Sequence, residues 1–274
     1  MRILSYNIQA AIASDSYFSY VSRLHRQFLP APGKTRILAD IARYISRFDV
    51  VCLQEIELGG LRNGFKNQVE QLLAETPFQY SLFQTNRTVG KLSRHGNLIL
   101  SKNPLREVAN ELLPSRIKGR GILAAAVAVP QGEIVVANVH LSLGMLDQFR
   151  QIRHIRQLLR PYPHVCRMGD FNCPTGARQL DILTRFGYRR LNDGATFPSW
   201  NPRQTLDHVF IKGSLKGQCE VGRFYASDHL PVAVEIDGPG RHSNAQYDSG
   251  IKGKCITGIC QSTDVLIDFA NTPV

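Results

Sequence analysis

Short apolar runs rich in Val, Ile and Leu alternate along this chain with longer amphipathic stretches, a pattern that specifies mixed α/β architecture. Residues 3–6, 50–53, 80–83, 97–100, 123–129, 134–139, 165–168, 208–211 and 232–236 read as strands. Nine strands are too many for one small sheet. Helical spacing appears in Ile37, Leu38, Ile41, Tyr44, Ile45 and Phe48, in Phe65, Val69, Leu72 and Leu73, and in Met145, Phe149, Ile152, Ile155 and Leu159. The last stretch carries Arg150, Arg153, His154, Arg156 and Arg160 on its other faces.

A chain of 274 residues buries a full core, and the pattern predicts one domain over 1–237. Beyond it, 238–274 opens with Gly-Pro-Gly, is rich in Gly, Ser, Thr and Asn, and reads as a loosely packed or disordered extension. Residues 9–34 form a second irregular region, whose mixed aromatics and bases suit a substrate-facing lid or a short helix packed on the core. Lys and Arg number 33 against 22 Asp and Glu, and the extension contributes nothing to the resulting +11. Such a surface favours polyanionic partners: nucleic acid, anionic lipid headgroups or phosphorylated small molecules.

No stretch approaches the roughly 20 apolar residues of a membrane span, and the first residues do not read as a secretory signal. The expectation is a cytoplasmic protein with reduced thiols. Cys255 and Cys260, five apart, have no partner cluster and read as structural or incidental.

Most of these strands end on a polar residue. The first ends at Asn7, the second at Gln54 and Glu55, the strand from Ile134 at Asn138, Val139 and His140, and the strand from Val165 at Gly169, Asp170, Phe171 and Asn172. Leu206-Asp207-His208 and Ser227-Asp228-His229 complete the set. One such residue alone reads as a cap, a turn or a satisfied core group. Six groups in the same register point to a ligand site at the ends of strands. Asp170 and Asn172, at i and i+2 of an extended segment, project from one face, where a carboxylate and an amide can activate and orient a water.

In this order, Ser5-Tyr6-Asn7, Leu53-Gln54-Glu55, Gly96-Asn97-Leu98-Ile99-Leu100-Ser101, Asn138-Val139-His140-Leu141, Gly169-Asp170-Phe171-Asn172, Leu206-Asp207-His208 and Ser227-Asp228-His229-Leu230-Pro231 resemble the endonuclease/exonuclease/phosphatase superfamily of DNase I-like metal-dependent phosphoesterases. The resemblance implies a four-layer α/β/β/α sandwich, two mixed β-sheets packed face to face with helices outside. It implies Mg²⁺, with Mn²⁺ as a substitute, ligated by Glu55 with Asn7 and Asp228 nearby. By the same resemblance Asp170 is the general base and Asn172 holds the water or a phosphate oxygen. His140 and His229 contact the phosphoryl oxygens, and Asp207 is hydrogen-bonded to His229. The chain departs from the family pattern at Tyr6, where tryptophan is common, and at His208, where an aromatic is common. Bacterial members also carry Thr196-Phe197-Pro198-Ser199-Trp200, a motif without an assigned role.

The substrate has to be read from the rim. Arg116, Lys118 and Arg120 lie in an acid-free segment over 112–132, and Arg87, Lys91, Arg94 and the basic helix add to it. The expectation is a phosphodiesterase acting on nucleic acid. A phospholipid or sugar-phosphate diesterase or phosphatase is the alternative, and a non-catalytic polyanion-binding module is the reading from a different class. The sequence says nothing of oligomeric state.

Overall fold

Val50 and Cys52 leave their strand on one side and Val51 and Leu53 on the other, and all four are fully buried. A strand buried on both faces needs a layer on each. The computed structural model, which describes residues 1–9, 33–59, 67–90, 93–116 and 118–238, supplies them as two stacked sheets with helices outside. One sheet holds β1 (Arg2–Asn7), β2 (Val50–Glu57), β3 (Tyr80–Val89), β4 (Ser93–Ser101), β11 (Lys216–Val221) and β12 (Val232–Asp237), ordered β11-β12-β1-β2-β4-β3. The other holds β5 (Leu105–Leu112), β6 (Gly121–Val129), β7 (Gly132–His140), β8 (Val165–Asp170), β9 (Tyr188–Arg190) and β10 (Asp207–Lys212), ordered β5-β6-β7-β8-β10-β9. Both are mixed: β1 pairs parallel with β2 and antiparallel with β12, and β8 pairs parallel with β7 and antiparallel with β10.

Ile3, Val50, Cys52, Ile99, Leu123, Val136, Cys166, Met168, Val209 and Val234 fill the space between the sheets. Helix α1 (Gly33–Ile45) covers the outer face of the first sheet, where Leu38, Ile41 and Ile45 meet Leu4, Tyr6, Val51 and Leu53. A shorter helix, α2 (Gln68–Glu75), adds Val69 and Leu72 to that layer, and the Asn67 side chain caps its first turn by accepting from the Val69 N–H. On the second sheet, α3 (Met145–Leu159) and α4 (Arg178–Arg185) bring Ile152, Ile155, Leu159, Leu180 and Leu183 onto Val135, Val139, Val165 and Phe210. The expected four-layer sandwich is therefore the observed one.

Three strands and one helix are additions to the sequence reading. Strands β5 and β11 lie at sheet edges, and their alternating exposure comes with charges that mask the apolar pattern. Strand β9 spans three residues and α4 eight, too short for periodicity to stand out. Beyond Gln9 the proposed lid lies outside the described residues as far as 32, and so does the C-terminal extension beyond Gly238. Cys255 and Cys260 fall there too, whereas Cys52, Cys166, Cys173 and Cys219 are free thiols. Among the described residues no helix is long and apolar enough to cross a membrane.

Candidate active site

The inner face of each central strand changes from apolar to polar toward one end of the sandwich. Along β1 the inward positions run Ile3, Ser5, Asn7; along β7 they run Val136, Asn138, His140; along β8, Cys166, Met168, Asp170. The first polar layer is a buried floor. Gln54 Nε2 donates to Ser5 Oγ (3.1 Å) and Asn138 Oδ1 (2.7 Å), while Asn138 Nδ2 donates to the carbonyls of Leu53 (2.8 Å) and Leu98 (3.0 Å). Gln54 and Asn138 are fully buried, so these two strand-end residues belong to packing between the sheets and not to the site.

Above the floor opens a cleft of about 380 Å³. Asn7, Glu55, His140, Asp170, Asn172, Asp228 and His229, from both sheets, line it. Asp207 does not; it stands behind His229, with Oδ2 2.8 Å from Nδ1. All eight expected site residues thus come together, seven on the wall and one supporting it.

Local backbone geometry aims two of them. The β2–β4 register shifts between Leu53 and Ile56, and within that bulge Glu55 has φ 58°, turning its carboxylate out of the ladder toward the cleft. Asn172, just beyond β8, has φ 50°. Left-handed backbone at non-glycine residues is costly and tends to gather at functional positions. At Gly169 (φ 141°) the need for glycine is steric, because a Cβ would lie 1.9 Å from the Val139 carbonyl oxygen.

Asp170 is held from three directions. Its Oδ2 accepts from Asn7 Nδ2 (3.1 Å) and Asn172 Nδ2 (3.2 Å), and its Oδ1 accepts from the Asn172 N–H (2.8 Å). His140 Nε2 lies 3.4 Å and His229 Nε2 4.0 Å from Oδ2. Burial pushes this carboxyl up to about 7 against the opposing pull of His229, with Asp207 adding to the rise. The two imidazoles diverge. Burial, then Arg120 and His229, drive His140 well below the usual histidine value, whereas for His229 the Asp207 and Asp170 carboxylates outweigh burial and raise it well above. The surroundings thus favour the neutral ring at His140 and the protonated ring at His229.

Of the basic residues expected at the rim, Arg87, Lys118 and Arg120 line the cleft, and Asn86 and His95, which the sequence reading did not single out, join them. Arg120 Nη1 sits against the His140 ring, 2.5 Å from Nε2 and 3.2 Å from Nδ1. The Thr196-to-Trp200 motif is the brace for the acid-histidine loop. Thr196 Oγ1 accepts from the N–H groups of Leu206 and Asp207 (3.2 Å each), and the Thr196 carbonyl accepts from the Leu230 N–H (2.8 Å). Ser199 N–H donates to the Asp228 carbonyl (2.7 Å), and the Phe197 ring lies 5.0 Å from that of His229. The sequence carried this signal as a Pro-containing motif just before Asp207, but not its purpose. His208, the unexplained departure, points to the outer face, where its Nε2 lies 2.9 Å from the Cys173 carbonyl oxygen and its ring meets Phe171 edge-on. Tyr6 is fully buried in the layer between α1 and the first sheet.

The basic helix does not follow the cleft. Helix α3 begins at the rim, yet its 15 residues extend about 22 Å along the outer face of the second sheet, carrying Arg156 and Arg160 away. Lys91 lies outside the described residues.

A model of the Endonuclease/Exonuclease/phosphatase family matches residues 4–229, from β1 through His229. The chain belongs to that family. No curated protein sequence matches it. Among solved structures, a family member from Beutenbergia cavernae is similar over 86% of this chain and 71% of that one, at 22% identity and a TM-score of 0.67. A mannosyl-6-phosphatase from Bacteroides thetaiotaomicron (16% identity, TM-score 0.63) covers 86% of this chain and 99% of its own. A beta toxin mutant from Staphylococcus aureus with bound magnesium ions (16%, 0.64) covers 85% and 98%. At these identities the likeness is one of fold. Members of the family are metal-dependent phosphoester hydrolases, and this chain is an enzyme of that class.

The donor set fits a hard divalent cation. Glu55, Asp228 and the Asn7 side chain face the same cleft, and burial, with the Glu55 charge adding to it against the pull of His229, raises the Asp228 carboxyl, a cost that a cation relieves. Asp170, Asp207 and His229 also cluster, with ligand atoms within 4.8 Å of one another. That group is the poorer metal site, since a protonated His229 ring, favoured by the two carboxylates, offers no lone pair to a metal.

Proposed function

We propose that the chain hydrolyses a phosphodiester by direct attack of water, with Asp170 as general base. The observation that carries this reading is the setting of Asp170: a carboxyl near 7 at the cleft floor, its oxygens aimed by Asn7 and Asn172. A base poised near neutrality takes a proton efficiently. Asn172 orients the water. His229, kept protonated by Asp207, donates from Nε2 to a phosphoryl oxygen, and neutral His140 with Arg120 presents further donors to the charge that spreads over those oxygens. Glu55, with Asn7 and Asp228, would hold Mg²⁺ or Mn²⁺, which supplies neutralisation of the phosphoryl charge. The bond from phosphorus to the leaving oxygen breaks, giving a monoester and an alcohol.

Two substrate classes fit the rim. A phospholipid diester is the better supported, because Leu143 both lines the cleft and stands 72% exposed at its mouth, where an acyl-bearing group would lie. The nuclease reading is the second, favoured by Arg87, Lys118 and Arg120, three cations that line the same cleft. The test is a Mg²⁺- or Mn²⁺-dependent screen over phospholipid vesicles, supercoiled plasmid, single-stranded DNA and bis(p-nitrophenyl) phosphate, beside Asp170→Asn. Turnover of phospholipid and soluble diester, abolished in the folded variant, is expected. Cleavage of DNA alone would transfer the assignment to nuclease, and turnover that persists in Asp170→Asn would overturn the mechanism.

A further inference from the structure

The mouth of the cleft carries an apolar lip that the chemistry does not use. Among the described residues the exposed large apolar side chains include Leu143 (72%), Met145 (54%), Leu146 (58%) and Leu112 (58%). The first three sit on the β7–α3 connection and the first turn of α3. Helix α3 buries Gln148, Gln151, Ile152 and Ile155, while Met145 and Leu146 in its first turn remain exposed. The acid that follows them, Asp147, is buried: its Oδ2 accepts from the Arg116 N–H (3.1 Å), and its Oδ1 lies 3.7 Å from Arg116 Nε and 3.8 Å from Arg150 Nη1. The Arg116 and Arg150 side chains remain largely exposed, at 70% and 68%, and Lys118 and Arg153 are exposed as well. Glu111, the other acid nearby, is engaged by His154 at 2.8 Å. An aliphatic centre is therefore flanked by outward-facing cations.

We propose that this lip docks the enzyme on an anionic phospholipid bilayer, with Leu143, Met145 and Leu146 entering the acyl boundary and Arg116 and Arg150 meeting headgroup phosphates. The proposal rests on the phospholipid reading above and deepens it. Apolar side chains at such a surface enter about 5–10 Å, and flanking cations strengthen the attachment to anionic lipid. Because Leu143 also lines the cleft, seating the lip brings a headgroup diester to the cleft mouth. A second copy of the chain is a poorer occupant, since a two-fold contact would set these cations against their own kind. Nucleic acid is poorer too, because protruding aliphatic side chains offer its phosphates no donor.

The experiment measures co-sedimentation with vesicles of phosphatidylcholine alone or mixed with phosphatidylglycerol. It uses the full chain in the Asp170→Asn background, so that no lipid is consumed. Preferential binding to the anionic vesicles is expected. Met145→Ser/Leu146→Ser should weaken that binding at least about tenfold, given the transfer free energy of two aliphatic side chains. Neither residue lines the cleft, so in the otherwise native enzyme this double variant should hydrolyse bis(p-nitrophenyl) phosphate at the native rate. Undiminished binding by the double variant, or no vesicle binding at all, overturns the proposal. So does a dimer in sedimentation velocity that the two substitutions dissociate. Vesicle binding without lipid turnover would overturn the substrate reading and leave the docking surface standing. Turnover of detergent-dispersed phospholipid without vesicle binding would do the reverse.

Discussion

Asp207 Oδ2 lies 2.8 Å from His229 Nδ1, and both side chains are buried. The carboxylate and imidazole come from different sheets, since Asp207 opens β10 and His229 precedes β12. Asp207 does not line the cleft, and it reaches the site through its hydrogen bond to His229 and through the charge by which it helps raise the Asp170 carboxyl.

Replacing Asp207 with Asn should therefore reduce kcat about 10²–10⁴-fold with little change in KM, because His229 loses the partner that keeps it charged. Steady-state kinetics together with an NMR titration of the His229 ring in metal-free protein checks this. An unmoved imidazole titration would separate the lost rate from His229.

The metal-free protein should also show an Asp170-dependent loss of stability with pH. Burial holds this carboxyl near 7, above its unfolded value of 3.8. A raised folded value means that the contribution of the protonated form is complete below about 4 and is lost as pH rises through about 7. The melting temperature of Asp170→Asn relative to the native protein should thus be more favourable at about pH 8 than at about pH 5. Added Mg²⁺ should narrow the difference by stabilising the ionised site.

Thr196→Val removes the hydroxyl that accepts from the Leu206 and Asp207 N–H groups while keeping the side-chain shape. A buried donor left unsatisfied costs about 1–3 kcal/mol. Urea unfolding should register a loss of that order, and kcat should fall because Asp207 and the His229 loop share this brace. Retention of full kcat would show that Thr196 supports the fold alone.

Gly169→Ala should be among the most damaging conservative changes in the chain. The new Cβ meets the Val139 carbonyl oxygen of a paired strand, in a backbone conformation that L residues avoid. Strain and overpacking together should cost on the order of 3 kcal/mol. Chemical denaturation measures it.

The sandwich was legible because its central strands are apolar on both faces, and one small sheet cannot use nine of them. The site was legible because its residues stand at strand ends in a recognisable order. Three features were hidden for physical reasons. Charged edge strands such as β11 look like loops when read for hydrophobicity. Gln54 and Asn138 occupy the same register as the site residues, and only burial separates a floor amide from a cleft amide. The partnership of Arg120 with His140 joins the residue just before β6 to the end of β7, a pairing that linear spacing does not reveal.

The Ser5–Gln54–Asn138 floor has a consequence for how such an enzyme can diversify. It clamps the two halves of the molecule together beneath the reacting groups, so the span between Asn7 on one half and Asp170 on the other is set from below. The hairpins and the α3 entry that form the mouth stand above the clamp. They are free to be exchanged for others, which lets a lineage change what it cuts while the cutting geometry stays constant.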